Sequence, residues 1–414
     1  MVRDQGFKVL EPVDRAIEKM MKKLRTLGIE NVSIYNCVGR VLARDIIAEF
    51  EVPEFDKSAM DGYAVKAEDT FGSSQTNPAI LRVIGKIEVG EIPEIEIKKG
   101  EAVRVFTGSA IPKGADAVIM LEHTREEGNF VQIFKSLPPF KNVIKKGEDI
   151  RKGDLILKRG EILQPQDAGL LASLGFEFVE VYKKPRVSVI STGNELIPPG
   201  KKREIGKIYN SNNPMICNAL KELDFPVFSL GIAKDRAEEI EKKLLKALEF
   251  DAVIFTGGTS VGSHDLVPEI VEKYGEIVFH GVAMKPGLPT AFGIVREKPV
   301  FMLPGSPAAT FLSFHTFVVP ALFRMMNVRI LERKWSKKKG ILQSRLASEI
   351  GIRSNVRVFW KNGKIYPVKI SGSGILTSIV STNAILVIPE NFEGYETGEE
   401  VEVTLFRDIT EVFE

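Results

Sequence analysis

Cysteine is scarce: only Cys37 and Cys217 occur in 414 residues. That excludes a disulfide scaffold, and neither residue sits in a zinc-binding spacing. Both are expected to be buried and reduced. The four histidines, His123, His264, His280 and His315, do not cluster. HExxH is absent, so no histidine is assigned a metal, and His315 is expected to pack within an apolar helix. Charge of one sign is also lacking. With 57 basic against 55 acidic residues, the net charge is +2, so no nucleic-acid partner is expected. No apolar run reaches the roughly 20 residues of a membrane span. "VFMLPG" is short, and "FLSFHTFVVPALF" is broken by Pro320. The N-terminal "MVRDQGFKVLEP" carries no apolar core of a signal peptide. A cytoplasmic protein without a membrane partner is therefore expected. Glutamine is sparse beside abundant Lys and Glu, which leans toward a heat-adapted proteome. The apolar share of 44% and charged share of 27% fit a globular chain whose length implies two to four domains.

Three textures follow one another along the chain. From Pro12 to Leu27, apolar residues recur at three and four, which predicts an amphipathic helix stopped near Gly28. Val38 to Ile47 reads equally as helix or short strand. Short β-rich runs then fill Glu51 to Phe140, from "YAVKA" to "NFVQIFK". Next comes a helix, "PQDAGLLASLG", with Pro165 near its start and Gly175 at its end. If it packs on the first helix, the β module interrupts a helical linker domain. From Lys184, strands and helices alternate, which predicts a parallel sheet covered on both faces. Asp235, with Glu238, is expected to cap the helix over "DRAEEIEKKLLKALEF". After Lys339 only short strands remain, with Asn362-Gly363 as a hairpin turn. The fold class is thus multidomain α/β plus β. The expected domains are 1–50 with 141–182 (helical linker), 51–140 (inserted β), 183–332 (α/β) and 333–414 (C-terminal β barrel or sandwich).

Open α/β sheets bind ligands beyond the carboxyl ends of their strands. Here the strand ends lead into Ser191-Thr192-Gly193-Asn194-Glu195, Thr256-Gly257-Gly258-Thr259-Ser260 with Gly262, and Pro304-Gly305-Ser306-Pro307. Glycines admit close approach to backbone amides, and helix N-termini favour anions. Ser306 as N-cap with Pro307 at the first helical position fits that pattern. Neither GxGxxG nor GxxxxGK[ST] is present, so the ligand is read as phosphorylated but not obviously a dinucleotide. Lys285, in Lys285-Pro286-Gly287, offers a point charge for phosphate or is simply solvated. Glu195 and Asp265 are candidate Mg²⁺ ligands, since acids beside a phosphate loop need a cation. Asp265 also fits the role of helix cap. Asp61, in "MDGYAVKAED", precedes a glycine that reads as a turn signal.

Seven stretches in order carry a resemblance: "SAMDGYA", "FTGSAIPKGADAVIM", "GEDIRKGD", "STGNEL", "TGGTSVGSHD", "MKPGLPTAFG" and "LPGSPAA". Together they resemble the molybdopterin molybdenumtransferase family, whose relatives include the C-terminal enzyme domain of gephyrin. The resemblance implies four domains, among them a MogA-like molybdopterin-binding α/β domain and a C-terminal β barrel. It implies insertion of molybdate, or tungstate, into adenylylated molybdopterin (molybdopterin-AMP), with Mg²⁺ and release of AMP. It also implies a homodimer whose cleft is shared between subunits, with the molybdopterin adenylyltransferase as a partner. Residue by residue, Asp61, Asp149, Glu195 and Asp265 match the family's acids, and Gly62 would allow the turn that points Asp61 into the cleft. Tyr63 would be packing. Thr107 and Gly108 would line the same side, Lys113 and Lys285 would meet phosphate or molybdate, and Ser371 would reach the pterin side. Asn194 stands where many relatives have an acid, and His264 and Leu266 flank Asp265 where an acid and an aromatic are common. Two other readings remain at this point: a molybdopterin adenylyltransferase-type enzyme, and a non-catalytic dimeric scaffold for peptides.

Overall fold

Alternation with both faces buried explains the central sheet. Val187, Val189, Ala252 and Ile254 point into one apolar layer, while Ile190, Val253 and Phe255 point into the other. Successive side chains of a strand leave opposite faces, so a strand covered on both sides reads as continuously apolar. In the computed structural model, residues 10–259, 266–328, 336–368 and 376–407 are described.

The sheet has six strands, in the spatial order Val227–Ala233, Val187–Thr192, Ala252–Thr256, Lys298–Leu303, Ala291–Val295, Gly275–His280. The first four are parallel. Ala291–Val295 runs antiparallel to both of its neighbours, so Gly275–His280 at the edge again runs with the first four, which corrects the expectation of a wholly parallel sheet. The cause is a two-residue connection at Arg296-Glu297, too short for a crossover. Both residues have positive φ, 48° and 65°, the conformation of a tight hairpin turn.

One face is covered by the N-terminal helix Val13–Lys23, through Val13, Ala16 and Met20, and by Phe314, Phe317 and Leu322. The other is covered by the helices Ala237–Ala247 and Leu266–Tyr274. The run Pro307–Met325 is long and apolar enough to cross a membrane, and 67% of its most apolar window is buried inside the fold. Pro320 does not break it, contrary to the expectation from sequence. A π-helical turn at Phe314–Val318 precedes the Val319–Met325 segment. Such a turn shifts the hydrogen-bond ladder, so the missing N–H of proline falls at the start of a new helical segment. The N-terminal helix is shorter than expected, ending at Lys23 with Leu24 extended. Val38 to Ile47 is not helical. It forms isolated bridges at Val41 and Leu42 and a short strand, Ile46–Ile47.

The C-terminal strands close on themselves. Arg353–Lys361 pairs with Lys364–Pro367, which pairs with Lys337–Leu342, then Glu400–Leu405, then Ala384–Ile388, and back to Arg353–Lys361. This is a closed barrel around Leu342, Val358, Ile365, Leu386 and Val403. Asn362, with φ 48°, and Gly363, with φ 75°, make the expected hairpin turn.

Residues 44–159 form a separate compact unit. Its core is a six-stranded sheet with Tyr63, Val65, Leu81, Ile119 and Val131 buried inside.

Candidate functional site

The three loops predicted from the strand ends do meet. Thr192, Gly193, Glu195, Thr256, Gly257, Gly258, Pro304, Gly305, Ser306 and Pro307 line one hollow of about 720 Å³. Its floor is polar and fixed. Ser191 Oγ donates to Asn210 Oδ1 at 3.0 Å and lies 2.8 Å from Thr256 Oγ1. Asn212 Nδ2 donates to the Gly305 carbonyl at 2.7 Å. Among the described residues, two buried oxygens of the lining, Thr192 Oγ1 and Asn212 Oδ1, have no hydrogen-bond partner. Buried polar atoms are nearly always satisfied, which makes these two candidate contacts for a polar ligand or water.

The glycines of the cradle are there for space as well as conformation. Gly257 and Gly258 have φ of 91° and 65°. A Cβ on Gly257 would lie 2.6 Å from the Thr192 carbonyl, and one on Gly258 2.7 Å from Thr192 Oγ1. Ser306 holds the N-cap position with Pro307 behind it, but its hydroxyl makes no cap bond.

The acids divide. Glu195 lines the hollow. Asp265, Ser260, Gly262 and Ser371 lie outside the described residues. Asp235 does not cap its helix as expected. The N-cap is Arg236, and Asp235 Oδ2 instead accepts from the Asn194 amide at 2.9 Å. Asn194 Oδ1 accepts from the Asp235 amide in return. This exchange brings Asp235 to the hollow, a position missed because Asp before a helix reads first as a cap. Asn210, Asn212 and Tyr209 were also missed. "YNSNN" lies outside any strand-end glycine pattern.

Lys285 is not among the residues lining the hollow. Its ammonium pairs with Glu349 at 2.6 Å, and its bond to Pro286 is cis. Gly287 is packed against Met284 and Ser313.

In the 44–159 unit, Asp61 is exposed at a sheet corner. Thr107 donates to Asp61 Oδ1 from its amide at 2.7 Å and from its hydroxyl at 2.9 Å. These two bonds, the amide first, hold the Asp61 carboxyl below the usual aspartate range, with Arg104 assisting by its charge. Gly62 does not make a turn. It lies in the strand Gly62–Val65, where a Cβ would lie 1.9 Å from the Ile119 carbonyl. Close strand approach therefore requires the glycine. Tyr63 is buried, with Arg104 5.1 Å from its ring centre. Gly108, with φ 88°, carries the chain past Thr107. Asp149 is exposed in the same unit, and Lys113 sits 3.8 Å from Glu96. Burial raises the thiols of Cys37 and Cys217 above the ordinary range, so neither is an activated nucleophile. Cys217, within the helix Asn212–Glu222, is only partly buried, not fully as expected, and packs at the margin of the apolar layer on that face of the sheet.

Three family models match in order: "MoeA N-terminal region (domain I and II)" over 11–175, "Probable molybdopterin binding domain" over 188–324, and "MoeA C-terminal region (domain IV)" over 339–406. A Methanocaldococcus jannaschii protein is 41% identical over 415 residues, covering 97% of this chain and 99% of its own. The Molybdopterin molybdenumtransferase of Staphylococcus epidermidis is 34% identical over 397 residues, covering 95% of each chain. The crystal structure of a molybdopterin biosynthesis MoeA protein from Pyrococcus horikoshii superposes with a TM-score of 0.85 at 38% identity, covering 97% of this chain and 100% of that one. Fold and matches together define a class: multidomain α/β-plus-β transferases of molybdenum cofactor biosynthesis. Within that class, the chain belongs to the molybdopterin molybdenumtransferase family, and its role is enzymatic.

Proposed function

We propose that this protein inserts molybdate, or tungstate of the same shape and charge, into adenylylated molybdopterin and releases AMP. One observation carries the reading. The Gly257-Gly258 cradle carries no side chain of its own and lies at the carboxyl ends of the four parallel strands, beside Thr192 Oγ1, which has no hydrogen-bond partner among the described residues. Such a cradle suits a diphosphate, whose oxygens accept from backbone amides and hydroxyls.

Mg²⁺ fits this place. Glu195 supplies a carboxylate at the hollow, with Asp235 beside it. Among the described residues, no three His, Cys, Asp or Glu side chains converge into a metal cage. Mg²⁺ commonly takes one or two carboxylates and completes its shell with phosphate oxygens and water. Bound there, it would neutralise the phosphate oxygens and polarise the phosphorus. Asp265 is assigned to the same cation from sequence. The chain's own part is to seat the diphosphate on the Gly257-Gly258 cradle beside Thr192 Oγ1, with the Gly257 amide itself committed to the Leu303 carbonyl at 3.0 Å, and to keep Glu195 in place through the Asn194–Asp235 exchange.

The active protein is proposed to be a homodimer in which Asp61, Thr107, Gly108 and Asp149 of one subunit face the α/β hollow of the other. The molybdopterin adenylyltransferase is the proposed supplier of substrate. Two rows of observations favour catalysis over a scaffold role: the ionised Asp61 held by Thr107, and the polar floor of the hollow.

The test follows AMP release from adenylylated molybdopterin, with Mg²⁺ and either molybdate or tungstate. Release should require the oxyanion and fall in D61A and E195A. Mixing the two variants should restore part of the activity. Release that needs neither oxyanion nor Mg²⁺ would defeat the reading, and absence of rescue would defeat the shared cleft.

A further inference from the structure

The hollow has a second, apolar half that a diphosphate does not use. Ile208, Tyr209 and Leu376 line it and remain 52%, 42% and 37% exposed. Tyr209 is held unusually. Its hydroxyl donates to the Lys201 carbonyl at 2.9 Å, closing the loop from Lys201 to Lys207. The short strand Ile208–Tyr209 pairs in parallel with Leu196–Ile197. The next residue, Asn210, is buried, and its amide donates to the Ile197 carbonyl at 2.9 Å. The polar tip of the ring is thus satisfied by backbone while much of its surface stays open. A large aromatic that satisfies its polar end and leaves its ring open in a hollow is suited to stacking.

We propose that Tyr209 is the seat of a planar heteroaromatic ring, the base or the pterin of the ligand whose phosphates lie on Gly257-Gly258. The inference rests on the phosphate reading of the hollow above. The geometry supports it in three ways. Strand pairing and the hydroxyl bond fix the ring before a ligand arrives, which lowers the ordering cost of binding. The apolar neighbours Ile208 and Leu376 keep water off the stacked surface. The polar half lies in the same hollow, so one ligand with a ring and a phosphate spans both.

The experiment titrates AMP, neopterin 3′-phosphate and ribose 5-phosphate into the full-length protein by calorimetry. The native protein is compared with Y209A and Y209F, and the fold of each variant is checked by thermal melting. Stacking on an aromatic contributes about 1–3 kcal/mol per base, or roughly 5- to 150-fold in affinity. Y209A should weaken AMP or neopterin 3′-phosphate by at least about 10-fold and leave ribose 5-phosphate unchanged. Y209F should keep most of the affinity. The ring compound that loses affinity identifies which ring stacks. Equal losses for all three ligands would make Tyr209 a merely structural prop and overturn the proposal, as would no loss for either ring compound. If ribose 5-phosphate and both ring compounds fail to bind the native protein, the phosphate reading itself falls and this inference with it. Ring binding unaffected by Y209A while ribose 5-phosphate still binds would sink the inference alone.

Discussion

The hollow at the α/β sheet and the Asp61 corner are made in opposite ways. The hollow is built from backbone: glycines without side chains, carbonyls held by Asn212, hydroxyls locked to one another beneath a buried sheet. The Asp61 corner is one exposed carboxylate with two bonds from a single neighbour. The first arrangement fixes a shape and tolerates little change. The second fixes a charge and leaves its surroundings open, as suits a group that acts on something brought to it. The α/β unit thus presents a fixed shape, and the 44–159 unit an exposed charge.

The sharpest way to break that contrast is to remove the core under the hollow. Phe255 is fully buried beneath it, and Phe255→Ala should cost about 3–5 kcal/mol of stability. Hydrogen exchange should then show lost protection in the α/β unit, while peptides from 44–159 keep theirs. Loss of protection in both would mean the two do not hold separate cores. Next in size, D61A should lower AMP release by at least about 100-fold with melting unchanged, because the side chain is exposed. A drop in melting temperature that accounts for the lost activity would count against a charge role.

G258A is the mirror experiment. It forces a side chain into a positive-φ position against Thr192 and Val267. About 1–3 kcal/mol of strain is expected, together with weaker AMP binding in calorimetry. Normal affinity would show that the cradle is not where phosphate sits. N212A is smaller. It removes one bond to the Gly305 carbonyl, worth about 1 kcal/mol, and should show as a modest fall in urea midpoint.

The mildest change is T107V, which deletes one of the two bonds to Asp61. Because those bonds favour the ionised carboxylate, Asp61 keeps its charge until pH falls through its lowered pKa. Losing the hydroxyl moves that pKa up. The acid limb of the pH–rate profile should therefore shift to higher pH, with the neutral plateau little changed. An unmoved limb would place the titrating group elsewhere.

Sequence reading found what has a local cause. The four parallel strands were legible because both faces are buried, which writes Val, Ile and Phe without interruption. The glycine loops were legible because positive φ favours glycine. What escaped depends on partners far along the chain. Lys285 was read as a phosphate contact or a solvated turn residue, and its pairing with Glu349, across 64 residues, was not foreseen. Gly62 was read as a turn, but its reason is the Ile119 carbonyl on a neighbouring strand. The Arg296-Glu297 hairpin carried no glycine or asparagine to announce it, so the antiparallel strand Ala291–Val295 was not foreseen. Asp235 looked like a cap because nothing before the helix revealed that Asn194 would claim it.

The ring closure of the last domain has a consequence of its own. Each of the five ring strands has a neighbour on each side over part of its length, and the one stretch that accepts a strand from outside, Arg353–Ser354, is taken by Met284–Lys285 in parallel. A ring closed in this way leaves little backbone for edge-to-edge stacking, so its recognition falls mainly to side chains.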